Sequence, residues 1–197
     1  MTQLPSGTAG NVAGGERLAR SCLNTSSGVL ARALGASQVI GTVGSRDKMS
    51  YARDLGYDTV LLSDDFADTL RDATGGAGID IVVDPVGGPL RTQSLTLLNT
   101  LGRLVAMGNA SNADDVSLSA NSLWFSGTGV LGFNLALLSA RSPERVRTAG
   151  EEALRLVTRG AVRVNVTDVL PLEQASEAHR RIEAREVRGK LVLRMTS

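Results

Sequence analysis

Residues 79–89 constrain the fold of this 197-residue chain more than any other stretch. They read IDIVVDPVGGP, so a short apolar run ends in an acidic residue, a proline and two glycines. Apolar runs of this length between turn residues are typical of a strand buried on both faces of a parallel sheet. Ligands bind at the carboxyl ends of such strands. Because Gly87 and Gly88 would allow a close backbone approach there, we predict a ligand-binding turn.

Segments with strand and helix patterns alternate along the chain, which predicts an α/β fold with a parallel sheet. Strands are predicted at 38–43, 59–62, 79–84, 102–108, 130–133 and 189–193, with an extended segment at 162–170. Helices are predicted at 29–34, 46–55, 66–73, 90–98, 142–159 and 171–185, and the polar segment 109–128 is predicted to be a loop.

Composition excludes several classes of function. The net charge is +1 and aromatic residues make up 3% of the chain, which is too little charge to grip nucleic acid and too few rings for base stacking. The single cysteine, Cys22, and the single histidine, His179, provide neither an internal disulfide nor the ligand set of a zinc site. The sequence shows no signal-peptide pattern and no long apolar run. We predict a cytoplasmic, metal-free protein that binds neither nucleic acid nor membranes.

The first 28 residues show no strand pattern. Their glycines, from Gly7 to Gly15, are scattered among serine, threonine and asparagine, and no β-branched run is present. We therefore predict an irregular or flexible leader over residues 1–28. One domain, with the sheet and the C-terminal helices and strand, is predicted over residues 29–197.

Four motifs resemble the cofactor-binding half of the medium-chain dehydrogenase/reductase superfamily, in its zinc-independent, quinone-oxidoreductase-like branch. They are VIGTVGS-x-x-K at 39–48, DPVGG at 84–88, GRLV-x-MG at 102–108 and VRGKLVL at 187–193. Each motif is weak alone, but the four occur in the order and spacing of the family. The resemblance covers about residues 29–197 and implies a Rossmann-like parallel sheet with helices on both faces.

Two features of that family are missing from this sequence. The family has a strand and a Gly-rich phosphate turn before the helix that ends near Leu34, and residues 20–28 show neither. The family's N-terminal catalytic domain has no counterpart either. We therefore predict a sheet without a normal first strand and Gly-rich turn, in a truncated cofactor-binding fragment with little or no turnover.

The resemblance implies an NADP(H)-dependent oxidoreductase of the quinone, enone or alcohol type. In the family, hydride passes between the nicotinamide and a small carbonyl, quinone or enone substrate, without zinc, and we assign no catalytic residue in this half. The resemblance also implies a homodimer that pairs edge strands near residues 130–133. The alternative is a non-catalytic remnant or interaction domain that binds no dinucleotide, because the phosphate turn is missing.

The residues after the strand predicted at 38–43, which matches the second strand of the family, indicate which cofactor is used. An acidic residue there would bind the 2′-hydroxyl of NAD, whereas a hydroxyl with a cation suits the 2′-phosphate of NADP. Ser45 and Lys48 are the hydroxyl and the cation, and Arg46 would add charge. The alternative is a solvated first helical turn in which Ser45 is only a cap.

The other predicted cofactor contacts follow the later strands. Each has a structural alternative as a turn residue or strand end; these residues are Gly87, Gly108, Asn109, Phe133 and Asn134. Asp84 is predicted to cap its turn rather than act as a base. The spacing of Leu172, Ala175, His179 and Ile182 predicts that His179 faces the packed side of its helix, as a structural residue.

Overall fold

The computed structural model describes residues 18–22, 25–63, 66–184 and 186–195. Most of the predicted leader, residues 1–17, therefore lies outside the described residues. No helix within the described ranges is both long and apolar enough to cross a membrane.

Six parallel strands form the main sheet, in the spatial order β3-β2-β1-β4-β5-β6. Their bounds are β1 Leu18–Cys22, β2 Gln38–Val43, β3 Thr59–Leu62, β4 Ile79–Asp84, β5 Leu98–Ala106 and β6 Gly129–Gly132. The predicted α/β, Rossmann-like fold is thereby confirmed, and the order of strands is the one in which two βαβαβ halves meet side by side.

The prediction that the sheet lacks a first strand is wrong. Strand β1 pairs with β2 on one side and with β4 on the other, with Ala19 opposite both Val39 and Ile81. The leader boundary at residue 28 is therefore also wrong for residues 18–22. Pairing to two neighbours stabilises a central strand whatever its local propensity, and the polar pair Arg20 and Ser21 hid the strand pattern.

Helices connect the strands and cover the sheet. They are α1 Thr25–Ala33, α2 Met49–Asp54, α3 Phe66–Ala73, α4 Pro89–Leu95, α5 Ala120–Ser126, α6 Leu135–Arg141, α7 Pro143–Thr158 and α8 Ala175–Glu183. Short 3-10 turns at Arg46–Lys48 and Leu172–Gln174 lead into α2 and α8.

The structure differs from the predicted helices at three places. The segment 109–128 is not all loop, because Ser119 caps α5 through the Ser122 N–H and Gly127 ends the helix with φ of 63°. Helix α4 ends at Leu95 rather than Leu98, which is already the first residue of β5. Helix α6 was not predicted, although Asn134 is a good N-cap for it.

Alternate residues of the strands feed two apolar cores, one on each face of the sheet. In β2, Val39 belongs to a cluster with Ala52 of α2, while Ile40 belongs to a cluster with Phe66 and Leu70 of α3. A parallel sheet needs both faces covered, and α1 and α2 on one side with α3 and α4 on the other provide that cover.

Two C-terminal strands, β7 Val166–Pro171 and β8 Lys190–Arg194, form a separate parallel pair. The amide of Asn165, just before β7, donates a hydrogen bond to the hydroxyl of Tyr51 on α2. The sequence predicted both extended segments but not that they pair with each other.

The orientation predicted for His179 is wrong. Ala178 is the buried residue of α8, and His179 is exposed. The predicted spacing counted from Leu172, which lies in the preceding 3-10 turn, where residues repeat every 3.0 rather than 3.6 positions. The count therefore placed the buried face of the helix incorrectly.

Candidate functional site

The strand order reverses between β1 and β4, and this reversal creates a crevice at the carboxyl edge of the sheet. From β1 the chain moves outward through β2 to β3, and from β4 it moves outward in the opposite direction through β5 to β6. The connections on the two sides of the crevice diverge, leaving room for a ligand. The carboxyl ends of β1, at Cys22, and of β4, at Asp84, flank it.

All the predicted site residues follow carboxyl ends of strands in this sheet, so the fold brings them to the same edge. Ser45, Arg46 and Lys48 follow β2, Gly87 follows β4, Gly108 and Asn109 follow β5, and Phe133 and Asn134 follow β6. This placement is common to the set, but the side chains differ in what they contact.

Asp84 organises the turn after β4. Its Oδ1 accepts hydrogen bonds from the backbone N–H groups of Val86 and Gly87, both at 2.9 Å, and its Oδ2 accepts one from Nε of Arg91 at 2.6 Å. The same guanidinium donates to the carbonyl oxygen of Gly108 at 2.7 Å. Asp84 therefore has the structural role predicted for it. Sequence reasoning missed Arg91, because no pattern links it to the end of β5.

The glycines at this edge allow two loops to pack against each other. A Cβ on Gly87, whose φ is +79°, would lie 2.2 Å from Oδ1 of Asn109. A Cβ on Gly108 would lie 2.8 Å from the carbonyl oxygen of Pro85. In this structure, the space beside each glycine is filled by the neighbouring loop, which supports the turn alternative for both residues.

The two asparagines use their side chains within the protein. Nδ2 of Asn109 donates to the carbonyl oxygen of Ala113 at 3.0 Å. Oδ1 of Asn134 accepts from the N–H of Leu137 at 3.0 Å and so caps α6. Phe133 differs, because its backbone extends the β6 pairing through Ala106 while its side chain is exposed.

The residues after β2 form a charged cluster. Ser45 and Lys48 are half-buried and Arg46 is exposed. Asp47 lies between them, and its pKa is held below the ordinary range, first by a hydrogen bond with the Ser45 side chain and further by neighbouring charges. Arg188, just before β8, lies 3.7 Å from the Asp47 carboxylate. The sequence analysis did not predict Asp47 and Arg188 as site residues. Their charges are evident from the sequence, but nothing in it predicts that they lie close together.

A small cavity lies behind this cluster, between β2, α2 and the segment before β8. Its volume is about 140 Å³, and Lys48, Arg188 and the rings of Tyr51 and Tyr57 contribute to its lining. Lys48 follows the carboxyl end of β2, so the cavity lies next to the charged cluster. The cavity is too small for a dinucleotide, so a cofactor would lie outside it.

The first turn of α1 was not predicted as part of the site, because the sequence analysis did not predict β1 before it. Helix α1 begins at Thr25, three residues after β1 ends, so its N-terminus lies beside the crevice. The sequence has no glycine between Gly15 and Gly28, so this connection lacks the glycines of a phosphate turn. The free N–H groups of a helix N-terminus nevertheless favour an anion.

The family was identified by comparison with known proteins. The model of the zinc-binding dehydrogenase family matches residues 55–193. The chain belongs to this family. No group of three or more His, Cys, Asp or Glu side chains within the described ranges could hold a metal ion, so these residues do not fit the zinc of the family's name.

Several relatives of this chain are oxidoreductases, and others are polyketide synthases that it matches over 8% or 7% of their length. A 2-haloacrylate reductase from Burkholderia sp. is 34% identical over 83% of the chain and 49% of its own length. An NAD-dependent alcohol dehydrogenase from Sulfolobus acidocaldarius is 31% identical over 85% of the chain and 46% of its own length. The crystal structure of Escherichia coli quinone oxidoreductase with NADPH superimposes with a TM-score of 0.73, at 26% identity, over 90% of this chain and 57% of that one.

These comparisons confirm the predicted membership of the medium-chain dehydrogenase/reductase superfamily, in its quinone-oxidoreductase-like branch. The chain spans about half the length of the 2-haloacrylate reductase and the quinone oxidoreductases that it matches.

Proposed function

We propose that this chain binds NADP(H) and forms the cofactor-binding part of an oxidoreductase of the quinone, enone or alcohol type. The observation that carries the proposal is the strand order β3-β2-β1-β4-β5-β6, with Ser45 and Lys48 immediately after β2. In sheets of this order, the dinucleotide lies across the reversal point, and the end of the second strand reads the adenosine ribose.

The pyrophosphate would lie against the N-terminus of α1. This helix has nine residues and starts beside the crevice, so the N–H groups of its first turn and its dipole favour a negative charge there. Gly28, in the same helix, is buried against the Tyr57 ring and lets α1 approach the sheet closely. The helix N-terminus and this close packing support a dinucleotide at this point without the usual glycines.

The 2′-phosphate would be bound after β2. The Ser45 hydroxyl and the cations of Arg46 and Lys48 suit a phosphate dianion better than a neutral ribose hydroxyl. The relatives support a nicotinamide cofactor but differ over which one, since the E. coli structure holds NADPH and the S. acidocaldarius enzyme is described as NAD-dependent. The choice of NADP(H) therefore rests on Ser45, Arg46 and Lys48.

The chemistry of the reaction belongs to the cofactor, which supplies or accepts hydride at the nicotinamide C4 when bound. The residues of this chain would hold the dinucleotide and shield the reacting face from water. The exposed ring of Phe133, which follows β6 on the same edge of the sheet, supports this role for it. We propose that no zinc takes part.

Calorimetric titration with NADPH and NADH tests this function. We expect micromolar affinity for NADPH and weaker binding of NADH. Lys48→Met should weaken NADPH binding about fivefold to tenfold, since a charge-assisted contact to phosphate is lost, and should change NADH binding less than twofold. The control is Arg71→Met, because Arg71 lies at the opposite edge of the sheet, beside Gly76 and Leu98. Equal effects of Lys48→Met on both cofactors would contradict the assignment of the 2′-phosphate.

The second candidate is a domain that keeps the sheet but binds no dinucleotide. The absence of glycine from residues 16–27 favours it, because side chains in a phosphate turn obstruct the backbone approach to the pyrophosphate. No binding of NADPH or NADH at millimolar concentration would support this candidate over the first.

We also propose a cytoplasmic location, on the basis of the single cysteine and the nicotinamide-binding fold. Recovery of the protein mainly from a membrane or periplasmic fraction of the source cells would contradict it.

A further inference from the structure

Asp47 occupies the centre of the cluster to which the 2′-phosphate is assigned. It lies in the 3-10 turn after β2, directly between Arg46 and Lys48 in the chain. Arg188 approaches from the segment before β8, with its Nη2 3.7 Å from Oδ2 of Asp47. The side chains of Asp47 and Arg188 are both more than half exposed, so a ligand can reach them.

The carboxylate already engages groups that a phosphate would use. Its pKa is lowered, first by the hydrogen bond with Ser45 and then, among the charges, by Arg188 and Lys48, so Asp47 is ionised at neutral pH. The Ser45 hydroxyl has one hydrogen to donate. While that hydrogen is directed at Asp47, it is not available to a phosphate.

We propose that Asp47 is a specificity-determining residue that competes with the 2′-phosphate of NADP(H) for Ser45 and Arg188. Binding of NADPH must displace the carboxylate from both partners and place two anions in the same cluster. NADH has no phosphate at this position and leaves the Ser45–Asp47–Arg188 contacts in place. Asp47 therefore narrows the difference in affinity between the two cofactors. This inference rests on the proposed function.

The charges set the expected size of the effect. A unit charge about 6 Å from a phosphate of charge between about −1.5 and −2, in a water-like dielectric, changes affinity about threefold to tenfold. Asp47→Asn should therefore tighten NADPH binding by about that factor and change NADH binding less than twofold. Arg188→Met should weaken NADPH binding about threefold and have little effect on NADH.

The experiment is a calorimetric titration of the full chain with NADPH, NADH, 2′,5′-ADP and 5′-AMP. The last two ligands differ by the 2′-phosphate alone and report on it without the nicotinamide. Asp54→Asn is the matched control, because it removes the same charge from the exposed end of α2. Asp47→Ser is a second variant in case the amide disturbs the turn, and thermal unfolding of each variant verifies the fold.

Tighter binding of NADPH and 2′,5′-ADP by both Asp47 variants, but not by Asp54→Asn, supports the proposal. Weaker NADPH binding by the Asp47 variants would overturn it and would make Asp47 a residue that positions Arg188. Equal changes for all four ligands would also overturn it while leaving the NADP(H) assignment intact. Failure of the unmodified chain to bind any of the ligands would instead overturn the proposed function, and this inference with it.

Discussion

Asp84 shows how one side chain holds the candidate site together. It is the one buried carboxylate among the described residues, and its partner Arg91 is also largely buried. Each oxygen of Asp84 has a donor, and Arg91 extends the network to the loop after β5. A buried pair of this kind contributes mainly through the cost of breaking it, because removing one partner leaves the other charge unpaired.

Asp84→Ala should lower the free energy of unfolding by about 3 kcal/mol, since Arg91 and two N–H groups lose their acceptor. Urea denaturation followed by circular dichroism measures the change. Asp68→Ala is the control, because Asp68 is 95% exposed and its 3.5 Å pair with Arg71 is an ordinary surface contact. Similar losses for the two variants would show that the Asp84 network does not stabilise the turn.

At the scale of elements, Tyr57 sets how closely α1 and β2 approach each other. Its ring lies between two glycines: a Cβ on Gly28 would be 2.5 Å from the ring, and a Cβ on Gly41 would be 2.7 Å away. The ring is buried in the apolar core on that face of the sheet. A helix residue larger than glycine at position 28 would force α1 away from β2.

Gly28→Ala and Gly150→Ala should therefore have effects of opposite sign. Gly28→Ala overpacks the Tyr57 contact and should destabilise the protein by about 2 kcal/mol. Gly150 lies in α7 with nothing within 4 Å of an added Cβ, so alanine there should stabilise the protein by about 0.5–1 kcal/mol through helix propensity. Thermal unfolding of both variants tests the pair, and a neutral Gly28→Ala would contradict the close approach.

Charged side chains join α8 to β7. Glu177 accepts hydrogen bonds from Arg180 and Arg181, and Arg181 also reaches Asp168 of β7 at 3.1 Å. These contacts, led by the Arg180 hydrogen bond, lower the pKa of Glu177 from its ordinary value of 4.5 to about 2. A lowered pKa means that the folded state favours the ionised form, so this contribution to stability is complete above pH 4.5 and is lost as the pH falls toward 2.

Glu177→Gln should lower the melting temperature by a constant amount between pH 7 and pH 5. The difference from the unmodified protein should then shrink as the pH falls from about 4.5 to 2, because protonated Glu177 resembles glutamine. Differential scanning calorimetry across this range measures it. Glu183→Gln, from an exposed position on the same helix, controls for the change in net charge. A difference that grows on acidification would contradict the direction of the shift.

At the scale of the whole molecule, several exposed apolar side chains of the described residues lie on β6 and on α5 just before it. Strand β6 is an edge of the main sheet, and Leu131 on it is exposed. The rings of Trp124 and Phe125 on α5, 4.6 Å apart, are both more than 70% exposed. Apolar side chains beside an open sheet edge are typical of an interface between copies.

We predict that the protein is a homodimer that pairs through β6. Leu131→Glu should convert it to a monomer, because the substitution would bury a charge at the interface. Leu34→Glu, which changes an exposed leucine after α1, should leave the dimer intact. Light scattering at micromolar concentrations measures the molar mass of both variants and of the unmodified chain. A monomeric unmodified chain would contradict the prediction.

The sequence determined the class of fold, most of the strands and the placement of the site residues. The run 38–43 is apolar because it is buried on both faces, and such burial leaves its mark on local sequence whatever the partners are. The run 79–84 is buried at Ile79 and Val82 but exposed at Ile81, so the burial on both faces that was predicted for it is not met there. The glycines and polar residues that end these runs predict the carboxyl edge of the sheet without information on the strand order.

Only the tertiary structure decided which elements pair and what the side chains contact. Strand β1 has a weak local pattern and is held by β2 and β4, far away in sequence. Gly87 and Asn109 meet through two loops, and Asp47 meets Arg188 from opposite parts of the chain. Contacts between residues far apart in the chain leave no periodic pattern in the sequence. Glycine, asparagine and charged residues are also common in exposed turns, so their presence did not predict these contacts.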